Sequence, residues 1–164
     1  MRAIAFVLLV LSTIACAPVA ATESFRPIEA TSGDILRSRC HMGECGWTKF
    51  QAAQVITKSN QDLVVRIIQQ IGASPQEEQD TAKIVWDEPS VVIVSCSRTQ
   101  PHVTFSYQGE LVEHQLSLTP GGVVLGYQVA SVITYFQACH NLSLDEEGIE
   151  GAIKRLDYNV VSLD

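Results

Sequence analysis

The chain has 164 residues, 46% of them apolar and 18% charged. That balance builds a packed core and excludes a disordered, collagen-like or coiled-coil protein. It carries 18 acidic against 11 basic residues, a net charge of −7, and the basic residues are scattered. No positive patch forms for phosphate recognition, so no nucleic-acid partner is expected, and the length suits one domain.

A short basic start, Met1-Arg2, leads into an apolar run over 3–11 and then into small residues up to Ala21. Those are the three parts of a secretory signal peptide. The run is shorter than the roughly 20 residues a membrane helix needs. Val19 and Ala21 predict cleavage before Thr22. A second processing route competes. Thr13-Ile14-Ala15-Cys16 resembles a bacterial lipobox, with Thr13 where Leu is usual, and would make Cys16 a lipidated first residue. The first route delivers a periplasmic or secreted protein; the second tethers it by a lipid anchor. No later stretch is long and apolar enough to span a bilayer.

After the signal at 1–21, residues 22–48 read as an N-terminal arm with a Cys40–Cys45 loop, and residues 49–164 as the folded domain. Segments 47–58 and 62–70 form a hairpin across Ser59-Asn60-Gln61, because the second is rich in β-branched residues and Asn tolerates left-handed backbone. Residues 72–81 are polar, contain Pro75 and read as a loop, with a short strand over 83–86. The run 91–96 is apolar at nearly every position and reads as a central strand with both faces apolar.

The clearest hairpin is 102–107 with 110–118 around Gln108-Gly109, pairing Tyr107 with Glu110, Phe105 with Val112 and Val103 with His114. The main helix covers 126–139. Its apolar stripe of Leu125, Val129, Val132, Phe136 and Cys139 predicts a helix lying on a sheet with one face in water. Ser143-Leu144-Asp145-Glu146 matches a capping box and opens a second helix over 144–156. Strands first and helices last make the fold class α+β: a single domain, an antiparallel sheet of about five or six strands, and one or two helices packed on one face.

Apart from Cys16, the cysteines are Cys40, Cys45, Cys96 and Cys139. An even number in an exported chain argues for two disulfides, with three connectivities open. Cys139 completes the helix stripe and Cys96 closes the most apolar strand, so both point inward. This favours Cys96–Cys139, leaving Cys40–Cys45 as a tight local loop.

The Cys40–Cys45 spacing fits neither a zinc site nor a two-residue redox motif, so the bridge reads as structural. It would hold His41, Met42 and Glu44 as a rigid candidate contact loop. His102 and His114 fall on opposite faces of their hairpin, the first solvated and the second buried and hydrogen-bonded. Glu77-Glu78 and Glu146-Glu147 read as solvated surface, and Trp47 and Trp86 as core. Asn141-Leu142-Ser143 is a glycosylation sequon, relevant only in a eukaryotic secretory pathway. No nucleophile elbow, phosphate loop, metal motif or cofactor motif occurs, and no catalytic residue is assigned.

Cys40-x4-Cys45-Gly46-Trp47-Thr48-Lys49, Cys96-Ser97-Arg98 with Pro101, and Tyr135-Phe136-Gln137-Ala138-Cys139-His140 resemble a group of small exported four-cysteine proteins of proteobacteria. The resemblance runs from Cys40 to His140 and implies a bacterial exported domain without an assigned activity. Three functions fit this reading. The first is a non-enzymatic binding, inhibitor or immunity-type module for another envelope or secreted protein. The second is a lipid-anchored structural component, which requires Cys16, and the third a small secreted enzyme.

Overall fold

The computed structural model describes residues 25–28, 34–59, 62–78 and 80–161. The signal segment 1–21 and Cys16 lie outside the described residues. Seven strands form one sheet: β1 (Ile35–His41), β2 (Glu44–Lys58), β3 (Leu63–Pro75), β4 (Val85–Trp86), β5 (Ser90–Cys96), β6 (His102–Tyr107) and β7 (Glu110–Gln115). All pairings are antiparallel, in the order β1-β2-β3-β5-β6-β7, with β4 beside the far end of β3. Two helices follow, α1 (Val129–His140) and α2 (Ile149–Arg155), each entered through a single 3-10 turn. The α+β class, the antiparallel sheet and the helices on one face are as expected.

The expected arm is partly a strand. Residues 35–41 pair with β2 from Ile35↔Lys49 to His41↔Glu44, so the sheet starts well before Lys49 and has one strand more than expected. Nothing in the local composition of β1 marks it. It is held by the edge of β2, a tertiary contact. Residues 25–28 are also engaged: Arg26 N–H donates to Cys139 O (2.8 Å) and Ile28 N–H to Ala138 O (3.0 Å). Those carbonyls belong to the last turn of α1, where a helix has no acceptors' partners of its own.

Residues 72–75 extend β3 instead of forming a loop, because β2 pairs with them through Glu44↔Pro75. Gly72 is required there: an added Cβ would lie 2.6 Å from the Trp86 ring. Both tryptophans are half-buried on the sheet face away from the helices rather than in the core. Trp47 donates its ring N–H to Ser74 Oγ (2.9 Å), and Lys49 Nζ sits 5.9 Å from the Trp86 ring centre. The β6–β7 register matches the sequence pattern pair by pair, turning through Gln108 and Gly109, both at positive φ. On β5, Val92, Val94 and Cys96 are buried, whereas Val91 on the opposite face is exposed. Ile93 and Ser95 on that second face are half-buried.

The main helix departs most from its amphipathic pattern. Every residue from Ser131 to His140 is buried. The sheet covers the apolar stripe, while α2, residues 25–28 and the C-terminal segment around Tyr158 and Val160 join the core around the remaining faces. Asn141, at φ 52, ends α1 and turns Leu142 N–H back to Phe136 O. The predicted capping box does not form. Ser143 Oγ bonds Gln137 Oε1 (3.1 Å), and Asp145 caps the 3-10 turn by accepting from Gly148 N–H (3.0 Å).

Both expected disulfides are present. Cys96 and Cys139 join β5 to the last turn of α1 with Cα atoms 5.6 Å apart, and both are fully buried. Cys40 and Cys45 face each other across β1 and β2. The first closes 43 residues and the second five, so chain entropy makes the first worth roughly 4 kcal/mol and the second clearly less. Paired Ser substitution at Cys96 and Cys139 is expected to cost about 3–5 kcal/mol in urea denaturation, and the pair at Cys40 and Cys45 much less. Equal losses from the two pairs would refute this division.

Candidate functional site

Three places gather chemistry: the tip of the β1–β2 hairpin, a polar chain inside the domain, and a cleft beside the start of α1.

The tip is built by its turn. Met42 and Gly43 have φ values of 52 and 86, the left-handed pair of a two-residue type I′ connection. Glycine meets that geometry without strain; Met42 is held in it. The Cys40–Cys45 bridge closes the strands immediately behind the turn, and Gln76 N–H donates to Gly43 O (2.8 Å), tying it to the end of β3. Met42 is 90% exposed, and His41, Glu44 and Glu77 are exposed around it. The predicted contact residues His41, Met42 and Glu44 therefore do share one exposed tip.

The interior chain was not foreseen. His140 Nε2, Tyr158 OH, Tyr135 OH and Ser97 O follow one another at 2.8, 2.8 and 3.0 Å. Proton counting fixes its direction. Tyr135 donates to Ser97 O, so Tyr158 must donate to Tyr135, and Tyr158 then accepts from His140 Nε2–H. The ring is neutral and protonated on Nε2. Tyr158 reaches this position because α2 ends in a left-handed Asp157, with Tyr158 N–H returning to Ile153 O and Asp157 N–H to Lys154 O. Arg98 lies over the Tyr158 ring, 4.5 Å from its centre, and donates to Leu156 O. Burial pushes Tyr158 up to about 12 and Tyr135 well above its ordinary value, so both remain hydroxyl donors. The chain borders Cys96 and Cys139 in sequence and locks the bridge region. It holds no exposed reacting group.

The cleft, about 400 Å³, opens between the core face of the sheet and the first turns of α1. His114 is there, on the core face as expected, with Nδ1 2.9 Å from Ser131 Oγ and its ring edge-on to Phe105. His102 is on the other face but is not merely solvated: Nδ1 meets Gln100 O at 3.0 Å, and Nε2 is 3.9 Å from Glu113. Two of the four surface acids are likewise engaged, Glu78 with Lys83 (2.7 Å) and Glu146 with Arg39 (3.4 Å). Among the described residues, no group of three or more His, Cys, Asp or Glu is placed to hold a metal. Also among them, no helix is long and apolar enough to cross a membrane.

Loss of water, followed by the nearby Arg98 and Arg155 charges, lowers the His140 pKa to about 4 from an ordinary 6.5. As pH falls through 6.5, the unfolded chain takes up a proton that the folded ring refuses until about 4. Stability supplied by the neutral ring is therefore full above 6.5 and is lost on acidification toward 4, by on the order of 2–3 kcal/mol. His140→Gln keeps an N–H donor and does not titrate. Urea denaturation from pH 7 to 4 should show a steeper loss for the parent protein than for this variant; parallel curves would contradict the assignment.

Comparison with protein-family models, curated proteins and solved structures gives no match for this chain.

Proposed function

We propose that the protein is an exported, non-enzymatic binding module of the four-cysteine kind its sequence resembles. In this reading it is an inhibitor- or immunity-type protein that engages another envelope or secreted protein through the Cys40–Cys45 tip. The observation that carries this reading is Met42. A large apolar side chain stands 90% exposed on a turn held by a disulfide on one side and a backbone hydrogen bond on the other. Methionine adapts to varied apolar surfaces, and a turn ordered in advance loses little entropy on binding. Glu44 and Glu77 beside it form an acidic rim that favours a basic partner and steers its approach. Export is supported by the leader-like segment 1–21 and by two disulfides, which persist in oxidising compartments.

Capture from envelope extract with the oxidised protein tests the contact. Met42→Ser is expected to weaken capture of a specific partner by about tenfold, the scale of a moderate interface anchor. Thermal unfolding should remain unchanged, because Met42 is 90% exposed. The Cys40 and Cys45 Ser pair should reduce capture while the fold persists. A partner retained equally by all three proteins would overturn the tip as the contact surface.

Processing is tested separately by mass spectrometry of the exported protein. The expected first residue is Thr22. A start at Cys16 with added acyl mass would replace the free form with a lipid-anchored one.

A further inference from the structure

The cleft beside α1 has a chemistry of its own, independent of the tip. Its floor is apolar, from Val92, Val103 and Phe105, and Tyr127 stands at its mouth. Asp87 and Glu88, both exposed, line its rim, and among the described residues neither carboxylate is paired with a cation. Among the described residues, no lysine or arginine lines it. The second, independent observation is Gln69. Gln69 is one of the residues lining the cleft and is only 6% exposed, and its Oε1 is buried without a hydrogen-bond partner. An acceptor left in that state costs about 1–3 kcal/mol, and native structures rarely keep one without a use. The terminal torsion of glutamine is soft, so a small turn of the carboxamide presents this oxygen to a donor entering the cleft.

Acceptors and negative charge at the polar end, an apolar and aromatic floor, and no lysine or arginine among the described lining residues together select one ligand class. We propose that the cleft binds a small organic ammonium ion. Its N–H groups bond to Gln69 Oε1 and pair with Asp87 or Glu88, and its apolar body rests on Phe105 and Val92. The volume of about 400 Å³ falls within the range of small-molecule sites.

The test uses the full oxidised chain and three probes of matched shape: 2-phenylethylamine, 2-phenylethanol and 3-phenylpropanoate. Titration followed by amide NMR shifts and calorimetry should show the amine binding, with shifts at β3, β5, β6 and the start of α1. It should bind at least about tenfold more tightly than the alcohol, the worth of one charge-assisted hydrogen bond, with the carboxylate weaker still. Nα-acetyl-lysine N-methylamide, run in parallel, distinguishes a partner's lysine side chain from a free amine; binding of either supports the ammonium assignment. Gln69→Leu should weaken the amine about tenfold without lowering the urea midpoint, since it removes an unpaired buried acceptor. Should that variant fail to fold, Asp87→Asn and Glu88→Gln at the exposed rim carry the test, each weakening the amine and reducing its salt dependence. Equal binding of all three probes, shifts elsewhere on the molecule, no amine binding, or binding unchanged in every folded variant would overturn the proposal.

Discussion

The structure depends on a helix that has no face in water. Ser131, Thr134, Gln137 and His140 recur every third residue along α1 and are all buried. A polar stripe in a core is tolerated only where partners meet it, because each unpaired group costs about 1–3 kcal/mol. Here the partners come from separate parts of the chain: His114 from β7 for Ser131, Ser143 from the following turn for Gln137, and Tyr158 from beyond α2 for His140. These bonds fix the rotation of the helix about its axis. The Cys96–Cys139 bridge fixes its height over the sheet. Neither constraint substitutes for the other, since a single covalent link leaves a helix free to roll and a set of side-chain bonds leaves it free to slide.

That arrangement explains what was legible in the sequence and what was not. The β6–β7 hairpin could be read to the pair, because alternation over six residues and a Gln-Gly turn leave one register that puts Val103, Phe105 and His114 on the core face together. Both bridges followed from which cysteines lie on apolar faces. The opposite error came from the same rule applied to α1. Its polar third residues look like a solvent face, and only the return of residues 25–28 and 158–160 shows that they are not. Periodicity reports which side chains dislike water, and is silent on whether the others are reached by it. The stripe at steps of three was a signal in plain view, as was an unusual density of Tyr and His near Cys139.

β1 and the far end of β3 were missed for a related reason. Their residues have weak strand character alone and become strands through pairing with β2, a contact that local composition cannot encode. The cleft was missed because its parts come from β3, the β4–β5 connection, β5, β6, β7 and α1, joined only by the fold. Gln69 gave no warning, being one of several glutamines in a strand. Its importance is purely environmental: Gln70, the next residue, has both an Asp87 carbonyl and a Gln51 side chain to bond, whereas the Gln69 oxygen has nothing.

The two disulfides also differ in kind. A bridge across 43 residues removes a large part of the unfolded chain's freedom, and in the fold it lies in the core next to the His140–Tyr158–Tyr135 chain. A bridge across five residues removes little, because the hairpin already brings its ends together. What it adds is local. With Cys40 and Cys45 joined, the two strands cannot separate behind Met42 and Gly43, and the left-handed backbone at Met42 cannot relax by fraying. Holding a non-glycine residue in that conformation has a steric cost, and an apolar side chain left in water gains nothing to offset it. A tip shaped only for stability would favour Asn or Asp before the glycine, as type I′ turns do. Folding stability alone therefore does not account for a methionine, braced and exposed, at this position.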